Sequence, residues 1–449
     1  MNETLQRWWD RELQEMPEVE LQARRLLLDT LVCAAAGLGE QEPAAYAQRL
    51  AKSSPGPVRW PYCSESLSSI AAASLGAMSA CWHEYCEGSA FAHGRPGLHA
   101  VPVAVALGLA SGSSYREVLQ AIVIGFEVGA RAGHSMRIRP GLHVDGTWGV
   151  LGATATAARM LQLPLAVADR ALAIAATQIP ASSYRPVTVG ATARNTYAAH
   201  ACSQSILFAE AAAAGVTAPD DALQIAAQQL SSTPTTAPDW RWPAVDEPLI
   251  LQGYLKPFAA VRHTHYGALA AQAWRDSYAT AAEIDTGTIH SLRLYTYPEA
   301  LIYCANRQPR TMIQAQFSLS YALSRVLCGY PLGPEVYAPQ VLSDREASRL
   351  EALLAIEASD EFSGRGARLV IETTAGRFET TIESAAGDPD RPLSEDMLWR
   401  KAAAILTPKI GERAARDFFE RLMFGALESS FADIVAGEGA SHYSVAGAV

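Results

Sequence analysis

No stretch of this sequence gathers lysine and arginine into a basic patch. Lys and Arg total 36 against 46 Asp and Glu, a formal net charge of -10. Nucleic-acid binding needs clustered cations against phosphate, so no nucleic-acid partner is expected. Cysteine is sparse as well. The seven, Cys33, Cys63, Cys81, Cys86, Cys202, Cys304 and Cys328, are odd in number and include no C-x-x-C pair. A disulfide framework and a structural zinc site are therefore not expected, and a reducing compartment fits best. No uncharged apolar run is long enough to span a bilayer. The opening MNETLQRWWDRELQEM is amphipathic and mixed in charge, unlike a targeting peptide. P-loop, dinucleotide-fingerprint and H-E-x-x-H signatures are absent too. These absences point to a cytoplasmic protein without membrane or metal business.

What is present is apolar helical text. Hydrophobic residues make up 49% and charged residues 18% of the 449, enough to bury a large core. Val19 to Gly39 carries apolar residues at three-and-four spacing and ends in glycine. SLSSIAAASLGAMSACWHEY, AVPVAVALGLASG, TWGVLGATATAARMLQL, AVADRALAIAATQI and ARNTYAAHACSQSILFAEAAAAG read alike. The segment from Ser114 opens on a cap with Glu117 at capping-box distance. Small Ala and Gly side chains let helix axes approach closely, so a bundle of nearly buried helices is expected. The pattern changes after Trp274. Residues 287–297 alternate like a strand, and 368–384 reads as two strands joined at Ala375-Gly376. QAQFSLSYALSRVLCGY between them is helical, as are SEDMLWRKAAAIL and ERAARDFFERLMFGALE beyond; DWRWPAVDEP at 239–248 reads as a loop. The fold class is mainly α: an all-helical domain over 1–267, a smaller α+β domain over 268–392, and C-terminal helices over 393–449 that rejoin the first.

Titratable residues concentrate in two glycine-punctuated stretches. Residues 80–110 hold His83, Glu84, Glu87, His93, Arg95 and His99 around Gly88, Gly94, Pro96 and Gly97. GLHVDGTWG at 141–149 sets His143 and Asp145 among glycines. Charged groups on such segments, held by adjoining helices, are how sites are commonly built.

Several blocks, in order, resemble the 2-methylcitrate dehydratase (MmgE/PrpD) family. They are LLLDTLVCAAAGLG, CWHEYCEG, RPGLHAVPVAVALGLASG, AIVIGFEVGAR, GLHVDGTWGVLGATATAARML, YLKPFAAVRHTHYGALAAQAW and AQFSLSYAL, over roughly 24–330. The resemblance implies a helical domain with a smaller α+β lid, a homodimer, no metal or organic cofactor, and a small polycarboxylate substrate. His83 matches the histidine that opens the family's first site motif. The family's aspartate position falls at Cys86 or Glu87, and its histidine before Pro-Gly is replaced by Arg95. His143 matches the Gly-x-His histidine, and Lys256 the lysine of the Lys-Pro-aromatic motif. Arg262 and His265 match the arginine and histidine beyond it, and Tyr321 an aromatic site residue. Arg194 stands about where dehydratases carry a lysine.

On that footing Arg95, Arg194, Arg262 and His265 bind substrate, while His83, Glu87, His143, Lys256 and Tyr321 are the catalytic candidates. Guanidinium forks suit carboxylates and stabilise charge growing on a carboxylate as its α proton leaves. His143 or His83 is the expected base, Tyr321 or Tyr85 a proton donor, and Glu87 an orienting group or base. The expected activity is a cofactor-independent, dehydratase-type lyase acting on a di- or tricarboxylate. An epimerase or isomerase of a related acid, or a non-catalytic anion-binding protein, is the alternative.

Overall fold

The computed structural model describes residues 6, 8–9, 11–232, 242–243, 245–278, 280 and 283–436. The loop read at 239–248 and the far end of the C-terminal segment therefore lie partly outside the described residues.

The chain is mainly helical. Helices α1 (Pro17–Gly37), α2 (Ser69–Cys81), α3 (Pro96–Ser111), α4 (Tyr115–Met136), α5 (Gly149–Met160) and α6 (Thr196–Ala213) form the larger layer. Pro17 and Pro96 sit in the first turns of α1 and α3, where the missing N–H costs no intrahelical bond. The capping box of α4 forms as the spacing predicts: Glu117 N–H donates to Ser114 Oγ, and Glu117 Oε2 accepts from Ser114 N–H. Helix α2 packs on α1, α3 and α6, and α5 packs on α4 and α6. Glycine permits the tightest crossing. A Cβ at Gly152 of α5 would lie 2.7 Å from the Gly125 carbonyl oxygen and 3.0 Å from Gly129 of α4, so only hydrogen fits there.

The smaller part holds helix α7 (Arg262–Asp276) against a four-stranded sheet, with helix α8 (Leu319–Leu327) packed on α7. Its strands are β1 (Ile289–Thr296), β2 (Leu354–Ala358), β3 (Ala367–Thr373) and β4 (Gly376–Ile382), in spatial order β2-β1-β3-β4. β3 and β4 form the antiparallel hairpin expected from the sequence, whereas β2 pairs parallel with β1. That strand was not expected; it directly follows the helix Arg345–Leu353. Helices α9 (Glu395–Ile410) and α10 (Glu412–Phe424) return to pack on α1. Among the described residues no helix is long and apolar enough to cross a membrane.

Candidate functional site

Helix α2 ends at Cys81, short of the histidine the sequence reading placed near its end. Glu84 then takes a left-handed φ of 53°, uncommon outside glycine. The turn carries Glu84, Tyr85 and Glu87 to a short antiparallel pairing of Gly88 with Tyr254 and Ser89 with Gly253. This pairing seats the loop beside Lys256.

Three cations meet at Glu84. Lys256 Nζ donates to Glu84 Oε1 at 2.8 Å and to its carbonyl oxygen at 2.9 Å. Arg194 Nη2 donates to Glu84 Oε2 at 2.6 Å, and Arg95 Nη1 lies 3.1 Å from the same oxygen. Arg95 also forks onto Asp145, through Nε at 3.2 Å to Oδ1 and through Nη2 to Oδ2. Arg194 Nη2 lies 3.6 Å from Asp145 Oδ2. All five side chains are buried. Burial alone would raise both carboxyls, but Arg95, Lys256 and Arg194 hold Glu84 well below the usual range. Arg95, His143 and Arg194 likewise depress Asp145. Three cations against two carboxylates leave one net positive charge in the cluster.

Local structure fixes each arm. Arg95 caps α3, and the ring of His99 lies between the carbonyls of Arg95 (2.9 Å from Nδ1) and Asp145 (3.1 Å from Nε2). A Cβ at Gly149 would sit 2.3 Å from that ring, so glycine is required there. Arg194 sits in the 3-10 turn Thr192–Asn195 before α6, with Nη1 donating to Asn195 Oδ1 at 3.0 Å.

His143 stands beside Asp145, with Nδ1 3.7 Å from Oδ2. The Asp145 N–H donates to His143 Nδ1 at 3.2 Å. An Nδ1 that accepts a hydrogen bond has no proton, so the neutral ring carries its proton on Nε2. Burial depresses the pKa of His143 to about 4, which keeps the ring neutral at pH 7. Tyr184 stacks on it at 5.6 Å, and the Tyr184 hydroxyl is buried with no hydrogen-bond partner among the described residues. Tyr303 and His263 extend this aromatic wall from the smaller part of the fold.

The remaining candidates lie elsewhere or play other parts. Glu87 is buried against the first turn of α3: its Oε1 accepts the Leu98 N–H at 2.9 Å, and among the described residues Oε2 has no hydrogen-bond partner. Burial pushes its carboxyl up to about 7, against the pull of Arg95. His83 faces away, with Nε2 3.3 Å from Glu40 Oε1, and their hydrogen bond lowers the Glu40 pKa. Arg262 stacks on Tyr254 and pairs with Asp388 at 2.5 Å while donating to the Ala385 and Ala386 carbonyls. His265 lies 3.1 Å from Arg262 Nη1, and burial with that guanidinium keeps it neutral. The Tyr321 hydroxyl donates to the Val336 carbonyl beneath Arg325. Arg95, Arg194, Lys256 and His143 are thus brought together, and His83, Arg262, His265 and Tyr321 are not among them. Glu84 and Asp145 were visible as acids in the two glycine-rich stretches, but nothing local marked them as the meeting point of the cations. Among the described residues no three His, Cys, Asp or Glu are grouped to hold a metal ion.

The model of the MmgE/PrpD N-terminal domain matches residues 10–232, and that of the MmgE/PrpD C-terminal domain matches residues 258–422. No curated protein matches the chain.

Proposed function

The chain belongs to the MmgE/PrpD family, and from that premise we propose that it is a dehydratase-type lyase acting on a small hydroxy-polycarboxylate. The observation that carries this reading is the convergence of Arg95, Arg194 and Lys256 on one buried carboxylate beside a neutral imidazole. A substrate carboxylate takes the place of Glu84 on the two guanidinium forks. The displaced Glu84, buried and freed from two cations, gains proton affinity and becomes the base for the proton α to the bound carboxylate. The forks stabilise the charge that grows there, each donor contributing about 3 kcal/mol.

The same carboxyl then returns the proton to the departing hydroxyl. One C–H and one C–O bond break, a C=C bond forms, and water leaves. His143 acts as a hydrogen-bond donor through Nε2–H rather than as the base, because its proton affinity is low and Nδ1 is already engaged. The expectation of a homodimer belongs to the same reading.

Incubation with hydroxy-di- and hydroxy-tricarboxylates in deuterated water tests this. Rising ultraviolet absorption from a conjugated acid is the expected signal. Solvent deuterium entering the α position without a new double bond would move the reading to an epimerase or isomerase. Binding with neither signal would leave an anion-binding protein.

A further inference from the structure

We propose that Lys401, on the C-terminal helix α9, is a positioning residue that holds Glu84 and Lys256 in register. Its Nζ is buried and meets three oxygens from three distant segments. It donates to Asp29 Oδ1 at 2.6 Å, to the Tyr85 carbonyl at 2.8 Å and to the Lys256 carbonyl at 3.0 Å. An ammonium has three donors, and all three are engaged. The same nitrogen lies 3.8 Å over the Tyr85 ring, whose hydroxyl donates to the Pro257 carbonyl at 3.2 Å.

The two carbonyls are the informative partners. Tyr85 directly follows Glu84, and the other carbonyl belongs to Lys256, whose ammonium donates to Glu84. One charge on α9 therefore fixes the main chain at both ends of the Glu84–Lys256 pair. Asp29 on α1 holds that charge in place. A plain ion pair would need Asp29 alone; the further bonds to the backbone of both partners make Lys401 a support of the site. Its effect on turnover rests on the lyase reading; its effect on the geometry does not.

The test uses the full chain with Lys401→Met and Asp29→Asn combined, so that no buried carboxylate is left unpaired. Amine modification of Lys256 is followed by mass spectrometry, and kcat and KM are measured on whichever hydroxy acid the wild type turns over. Lys256 labelling should rise at least about tenfold and kcat fall about tenfold to a hundredfold, with KM changed less. Lys256 protected as in the wild type, or kcat within about twofold of it, overturns the proposal. If the wild type turns over no hydroxy acid, the lyase reading fails by itself, and labelling of Lys256 alone decides the role of Lys401. Should the double variant not fold, Lys401→Arg carries the same readouts. It keeps the ion pair but cannot reach three converging oxygens from one atom.

Discussion

Lys256 binds Glu84 twice, through the side-chain Oε1 at 2.8 Å and through the main-chain carbonyl at 2.9 Å. The left-handed turn at Glu84 is what brings both oxygens to one ammonium. The carboxylate is thereby the internal counter-ion of Lys256, Arg194 and Arg95. Glu84→Gln should leave three buried cations facing a neutral amide. Loss of one partner of a buried ionic cluster costs about 3–5 kcal/mol, to be read in urea unfolding. A polycarboxylate such as citrate should raise the thermal midpoint of this variant more than that of the wild type, because it supplies the missing charge. Equal shifts would speak against an anion site there.

The site residues were legible to different degrees, for physical reasons. Arg95, Arg194, Lys256 and His143 each adjoin a Gly, Pro or short turn near helical text, so their place in the segments between elements could be read locally. Glu84 could not be singled out, because its partners Arg194 and Lys256 lie 110 and 172 residues away. Lys401 and Asp29, 372 residues apart, look like ordinary positions on two helices. In the fold, the β3–β4 hairpin was plain because its turn and its pairing are local. β2 was hidden because its pairing with β1 lies some sixty residues back in the chain.

Stability should carry two opposed pH dependences. His143 falls from 6.5 to about 4 on folding. Its contribution is present above pH 6.5 and is lost as pH drops toward 4. Glu87 rises from 4.5 to about 7. Its contribution is present below pH 4.5 and is lost as pH climbs through 7. Each has a full span on the order of 3 kcal/mol, and the two slopes oppose each other between pH 4.5 and 6.5. Measured against the wild type by denaturant unfolding across that window, His143→Gln should cost increasingly more stability as pH rises, and Glu87→Gln increasingly less. Parallel profiles for both variants would contradict these environments.

Arg262 directs its donors to Asp388 and two carbonyls of the same loop. Arg262→Ala should therefore destabilise the fold by about 3 kcal/mol while turnover by the folded fraction stays within about threefold of wild type. Differential scanning calorimetry beside steady-state kinetics checks both. A kcat collapse at an unchanged thermal midpoint would return Arg262 to the substrate.

The Tyr184 hydroxyl is buried beside His143 with no hydrogen-bond partner among the described residues. Removing an unsatisfied polar atom is neutral or stabilising. Tyr184→Phe should unfold at or above the wild-type midpoint and lose about tenfold in kcat/KM, as expected of a group that finds its partner only when substrate is bound. A clear loss of stability would show that the hydroxyl is already engaged without substrate.

The most direct measurement is calorimetric titration of one turned-over hydroxy-polycarboxylate into the wild type and into Arg194→Met at pH 7. If Arg194 and Arg95 hold the substrate carboxylate in place of Glu84, the variant should bind about a hundredfold more weakly, or about 3 kcal/mol, while remaining folded. Unchanged affinity in a folded Arg194→Met protein would place the anion elsewhere and contradict the Glu84-centred site.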